Sequence, residues 1–209
     1  VTAASPSPVS LDALLEGWAV AHGATSALLV GDATEVARVL ARHVAHVVVG
    51  ARTETDARLA RRALAGFASV EVRAGGDVAA LSRCDLVVTV GELARLPDWR
   101  SELAALADRA ARVLVVVLPN PRGLMDRVAG HARAPVCATD VIAPALWTAG
   151  RVREHVYFDV PTLEGLGPLA SLSASLPPRV RATLARQHAF LVDTTPRTPQ
   201  QARRRLHTV

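Results

Sequence analysis

Residues 27–41 read ALLVGDATEVARVLA: an apolar run, one glycine, then an amphipathic stretch. The run from Ala27 to Val30 has the composition of a strand covered on both faces, and Val36, Val39, Leu40 and Val44 recur at helical spacing behind it, which predicts a helix over ATEVARVLARHV. Strand, tight turn, helix is the opening unit of a nucleotide-binding α/β fold. Such a turn normally carries two or three glycines, whereas here Gly31 stands alone.

The alternation extends outward from this stretch. Upstream, Ser10 is placed as an N-cap for LDALLEGWAVA, with Leu11, Leu14, Leu15 and Trp18 on one side and Gly23 as the stop. Downstream, HVVVGA, SVEVRAG, CDLVVTVG and RVLVVVLPN predict strands, while TETDARLARRALAG, DWRSELAALADRAA and RGLMDRVAGHA predict helices, with a short one near DVAALSR. Past residue 131 the rhythm changes. RAPVCATDVIAPALWTAG carries Pro135 and Pro144 without a clean period, which predicts a crossover or a cover for the crevice. EHVYFDV and HAFLVDTT then predict two last strands, separated by the broken helical stretch PTLEGLGPLASLSASL.

Taken together the pattern predicts an α/β fold: a doubly wound, mostly parallel seven-stranded sheet with helices on both faces and its crevice at the strand carboxyl ends. No internal repeat or boundary divides it. Residues 1–9 are expected to form a loose arm, 10–195 one domain, and 196–209 a polar basic tail.

Composition excludes several functions. The chain has 209 residues, half of them hydrophobic, with no apolar run approaching the roughly 18 residues of a membrane span. Its N-terminus lacks a basic start and an apolar core, so no export signal is expected and the cytoplasm is the expected location. The net charge is +5, yet all 24 basic residues are arginine in an alanine-rich chain, the signature of a GC-rich bacterial genome. Basic residues are not interleaved with aromatics, so nucleic acid is not an expected partner. The absence of lysine removes a Walker A loop, a pyridoxal Schiff base and the Tyr-x-x-x-Lys pair of short-chain dehydrogenases. Cys84 and Cys137 stand apart in apolar surroundings and read as buried thiols. No metal-ligand spacing and no GxSxG elbow is present.

Five parallel strands followed by two more resemble the class I S-adenosylmethionine-dependent methyltransferase fold. CDLVVTVGELARLPDWRSELAALADRAARVLVVVLPNP is similar to the family segment in which an aspartate opens the fourth strand and a Leu-Pro motif precedes a helix and the fifth strand. REHVYFDVPTLEGLG is similar to its later strand and helix. The likeness spans roughly residues 24–193. It implies S-adenosylmethionine bound near Gly31, Asp32, Ala33, Glu35, Ala51, Arg52, Asp77 and Thr89. The motifs depart from the family where Leu29 replaces an acidic residue, where Ala33 and Glu35 replace glycines, and where Ala51 replaces the acid that accepts both ribose hydroxyls. Arg52 beside it only donates, so it suits a phosphate better than a diol. Asp77 matches the family aspartate whose neighbourhood contacts the adenine.

Candidate catalytic groups are Glu92, which also reads as a helix-start residue, and His155 with Tyr157 in REHVYFDV. His43 and His46 read as structural, and Trp99 and Trp147 as packing residues. The resulting expectation is a methyltransferase acting on a small molecule. The alternative is a methyltransferase-like chain without activity, serving a protein partner or its own oligomer. A nicotinamide-dependent reductase is a third reading, carried by VVVGART.

Overall fold

The computed structural model describes residues 10–31, 33–75, 78–120, 139–158, 185 and 187–195. Along the chain these form α1 (Leu11–Ala21), β1 (Ser26–Gly31), α2 (Thr34–Leu40), β2 (His46–Ala51), α3 (Glu54–Ala63) and β3 (Val70–Ala74). There follow β4 (Cys84–Val90), α4 (Trp99–Arg109), β5 (Ala110–Pro119), α5 (Thr139–Ala149), β6 (Arg151–Phe158) and β7 (Gln187–Asp193). Short 3-10 turns at Val78–Ala80 and Leu93–Arg95 precede and follow β4. The expected helix RGLMDRVAGHA, the stretch after Phe158, Cys137 and both termini lie outside the described residues.

The strands order as β3-β2-β1-β4-β5-β7-β6 in one seven-stranded sheet. β1 to β5 are parallel, and β7 runs antiparallel between β5 and β6. Chain order steps outward from β1 to β3 and then returns to β4 on the other side of β1. That reversal opens a crevice above the carboxyl ends of β1 and β4.

Strict alternation divides the strand side chains between two cores. Ala27, Leu29, Val47, Val49, Leu86, Val88, Val113 and Val115 pack against α1 and α2. Leu28, Val30, Val48, Val87, Leu114, Val116 and Leu118 pack against α4 and α5. The two edge strands are polar by contrast: β3 carries Glu71 and Arg73, and β6 carries Arg151, Arg153 and Glu154.

Two elements differ from the sequence pattern. α2 stops at Leu40 instead of running to Val44, because the chain turns so that Val44 enters the core and β2 can begin at His46. The proline-bearing stretch is helical over Thr139–Ala149. A proline inside a helix costs about 3 kcal/mol, but Ile142 and Leu146, one turn apart, are both fully buried, and each such side chain contributes about 1.5–3 kcal/mol. Packing therefore outweighs propensity.

At the amino end of β4, Asp85 clamps the neighbouring strand. Its carboxylate accepts from the Thr25 amide at 2.9 Å, the Thr25 hydroxyl at 2.8 Å and the Ser26 amide at 3.2 Å, with Arg112 at 3.4 Å. The Thr25 amide holds this carboxyl below the usual carboxylate range, assisted by the Thr25 hydroxyl and the Ser26 amide against the opposing effect of burial. Asp85→Ala leaves two strand-end amides without their acceptor. It is expected to lower stability by about 2 kcal/mol in urea unfolding, since hydrogen bonds to a charged group contribute about 1.5–3 kcal/mol.

Candidate functional site

Gly31 closes β1 opposite Val90 of β4. Its φ of +99° lies in the left-handed region, and a Cβ there would meet the Val90 carbonyl oxygen at 2.9 Å and the Glu92 Cβ at 3.1 Å. Glycine is therefore required twice over, by backbone conformation and by space. The single glycine of the turn is the one the geometry cannot replace.

Glu92 does not cap the 3-10 turn it precedes, for its side chain makes no cap hydrogen bond there. Instead it forms an ion pair with Arg52, which follows the last residue of β2. The same guanidinium donates to Glu102 of α4 at 3.1 Å. One cation thus joins two carboxylates across the carboxyl end of β1, and the Arg52, Glu92 and Glu102 side chains are 33%, 12% and 18% exposed. Glu92 thus stands at the start of a 3-10 turn, as a helix-start residue would, but spends its side chain on Arg52, and Arg52 is engaged by carboxylates.

The remaining cofactor candidates separate. Ala33 is buried in the α1–α2 core, as is Leu29, so the position where the family carries an acid does not face the crevice. Ala51 is buried, and its carbonyl accepts from Gly75 at 3.2 Å. Glu35 is 76% exposed and pairs with Arg38 at 2.7 Å along α2, so its partner is not a crevice group. Thr89 is buried on the α4–α5 face between Val30 and Val116, and its hydroxyl has no hydrogen-bond partner among the described residues. Asp32 and Asp77 lie outside the described residues.

Beside the ion-pair bridge lies a cavity of about 160 Å³ between Val30, Gly50, Arg52, Arg73, Ala74 and Val78. Small-molecule sites span roughly 300–1,000 Å³. The cavity therefore takes one part of a ligand, not the whole. Gly50 keeps it open, since a Cβ there would come within 3.0 Å of Leu81.

His155 and Tyr157 belong to a second group, on β6. They sit beside His188 and Phe190 of β7 through the antiparallel register His155 to Phe190 and Tyr157 to His188. His155 stacks on Phe190 with centroids 4.2 Å apart, and its Nε2 lies 3.1 Å from Nδ1 of His188. A single proton occupies that contact, so either ring can be the donor. His188 is only 4% exposed, and its Nε2 is buried without a hydrogen-bond partner among the described residues. Burial, and secondarily the neighbouring His155, pushes the His188 pKa down to about 3. Burial lowers His155 as well. Both rings are thus neutral at pH 7. With strands about 4.8 Å apart, this cluster stands roughly 14 Å or more from Gly31, on the β5 side of the crevice.

His188 was not singled out by the sequence reading. The usable signal is a shared period-two pattern, His155-x-Tyr157 and His188-x-Phe190, which places all four rings on one face once β6 and β7 pair. The Cys84 expectation holds: the thiol is buried and burial pushes its pKa up. Trp99 is buried, whereas Trp147 is 62% exposed. No cluster of three or more His, Cys, Asp or Glu with metal-binding geometry occurs among the described residues, nor any helix long and apolar enough to cross a membrane.

Comparison with known proteins places this geometry. No family model matches the chain, and no curated protein matches it. Solved structures do. The magnesium protoporphyrin IX methyltransferase ChlM of Synechocystis PCC 6803, with bound SAH, superposes with a TM-score of 0.61 at 16% identity over 87% of this chain and 81% of that one. The N-methyltransferase NodS of Bradyrhizobium japonicum WM9, in complex with S-adenosylhomocysteine, gives 0.62 at 16% identity over 89% and 86%. The [4+2]-cyclase SpnF gives 0.64 at 14% identity over 90% and 81%. The fold is that of class I S-adenosylmethionine-dependent methyltransferases.

The neutral buried imidazole has a measurable consequence. An unfolded histidine takes up a proton near pH 6.5, whereas folded His188 does so only near 3. Its contribution is complete above about pH 6.5 and is lost as pH falls toward 3. Unfolding followed between pH 7 and 4 should show stability declining by up to about 1.4 kcal/mol per pH unit from this group. In His188→Phe the slope should be shallower by that amount.

Proposed function

We propose that the chain binds S-adenosylmethionine across the carboxyl ends of β1 and β4 and methylates a small molecule. The observation carrying this reading is the obligatory glycine turn at Gly31 with the Glu92 carboxylate directly above it. A cationic ligand suits that end of the crevice, because the Glu92 carboxylate stands beside Gly31. The cavity is lined by Gly50 and Val78, and Val78 follows Asp77 in sequence, the residue at whose neighbourhood the resemblance puts the adenine. The site fits the cofactor at these two places. It fits poorly at the ribose, where Ala51 and Arg52 offer no side-chain acceptor.

When bound, the cofactor supplies an electrophilic methyl group. The chain's own residues supply position and proton handling. Glu92 faces the positive end of the cofactor. Asp32, which follows Gly31 directly, is a second carboxylate for that role. On the β5 side, His155 and Tyr157 hold the acceptor molecule, and the half-buried His155, whose ring His188 positions, takes up the proton released from it.

A second reading has its own support. Arg52 spans the place a ribose takes in the family and holds Glu92 away from any ligand until that ion pair opens. On this reading the chain keeps the fold without the chemistry and serves a protein partner. The cyclase among the similar structures illustrates that this fold carries more than methyl transfer.

Calorimetric titration with S-adenosylhomocysteine separates the two. The first reading expects saturable binding that Glu92→Gln weakens by about tenfold, the loss of one contact worth about 1.4 kcal/mol. Arg52→Ala should tighten binding, since it frees Glu92. If neither the native chain nor Arg52→Ala binds at millimolar ligand, the scaffold reading stands.

A further inference from the structure

The ring cluster on β6 and β7 has more hydrogen-bonding capacity than the chain uses. His155 meets His188 through Nε2 alone. Its Nδ1 and the Tyr157 hydroxyl have no partner among the described residues, and His188 Nε2 is buried without one. These atoms share the sheet face of Phe190, at the carboxyl end of β5, since His188 sits opposite Leu118. The rings are ordered in pairs across the two strands: Phe190 and His155 have planes 12° apart, and His188 and Tyr157 have planes 29° apart. β6 is the last strand of the sheet, so no further strand covers the aromatic wall at His155 and Tyr157.

The cluster carries no fixed charge. Among the described residues, neither imidazole pairs with a carboxylate, and what lowers them is burial and, for His188, the neighbouring His155. An ammonium group would find no counter-ion on this face, and a carboxylate or phosphate would find none either. What the pair offers instead is one reversible position. When the shared proton belongs to His155, its Nδ1 is a bare acceptor; when it belongs to His188, His155 carries its own proton on Nδ1 and presents a donor. A hydroxyl donates and accepts at one atom, so it is matched in either state. An ether accepts only, and an ammonium donates only.

We infer that this face takes a planar acceptor bearing a hydroxyl, a phenol or an enol, with its oxygen on His155 Nδ1 and the Tyr157 hydroxyl and its ring against the aromatic side chains. The inference rests on the reading above that the acceptor lies on the β5 side, and it names the chemical class of that acceptor. A flat conjugated ring gains from aromatic neighbours beyond the area it buries. A saturated alcohol of the same size would meet the polar atoms and forgo that gain.

The test uses the full chain and 1-naphthol, a planar phenol that is neutral at pH 7, followed by its own fluorescence. Saturable binding is expected. 1-Methoxynaphthalene keeps the ring but cannot donate, and 1-naphthylmethylamine is an ammonium ion at pH 7; each should bind about tenfold more weakly. Decahydro-1-naphthol, a hydroxyl on a saturated frame, should not compete. His155→Phe with Tyr157→Phe keeps both rings and removes both polar contacts, so 1-naphthol should lose its advantage over the ether. That readout is a ratio within one variant, which a change in stability does not mimic. The inference is overturned if 1-naphthol does not saturate, if the ether or the amine binds as tightly, if decahydro-1-naphthol competes equally, or if the double variant keeps the preference. S-adenosylhomocysteine is left out of these titrations. A chain that binds it in calorimetry and fails here therefore keeps the cofactor reading and loses the acceptor class.

Discussion

The parallel pairing of β1 with β4 sets the geometry on which the crevice depends. Leu28 lies opposite Val87 and Leu29 opposite Val88, so the two cores stay on their own sides of the sheet and Gly31 arrives level with Val90. A slip of one residue would exchange the side chains that β1 presents to the two cores and carry Gly31 out of line with Val90. Asp85 holds the other end of the same pair through the Thr25 and Ser26 amides. The clamp at one edge of the sheet thus determines which backbone atoms meet at the other. It explains how a turn with a single glycine can still be tightly defined, because Val90 and Glu92 are delivered to it by the sheet.

What β1 and β4 deliver is unusual in charge. A guanidinium shared by Glu92 and Glu102 binds β2, the segment after β4 and α4 together above β1. A half-buried cation between two carboxylates is well satisfied, and a ligand entering there must replace those contacts with its own. Glu92 and Arg52 therefore hold each other, and neither side chain is released without breaking the shared pair.

Much of the fold was legible in the sequence because it rests on hydrophobic periodicity. Strands such as LVVTV and VLVVVL have no other reading in a chain of this length. The proline-bearing α5 was not legible, since its helix depends on burying Ile142 and Leu146 against a core the sequence does not display. The site was legible only at Gly31, whose need for glycine is local. Arg52, Glu92 and Glu102 come from three separate segments, and their meeting is a product of strand order. His155 was visible as a candidate, but its partner His188 lies 33 positions away. The i,i+3 spacing of Glu35 and Arg38 displays their pairing, whereas no local pattern predicts that Glu92 turns inward to Arg52.

The polar edges of the sheet bear on how copies of the chain meet. An open sheet ends in rows of unpaired amides and carbonyls, which invite another strand. Here β3 presents Glu71 and Arg73, and β6 presents Arg151, Arg153 and Glu154, with Arg153 tied to Asp193 at 2.6 Å. A second copy docking along either edge would have to strip water from those charges. Runaway strand-by-strand polymerisation is opposed at both ends of the sheet, even though its interior strands, cut out as peptides, have the apolar β-branched composition of amyloid formers.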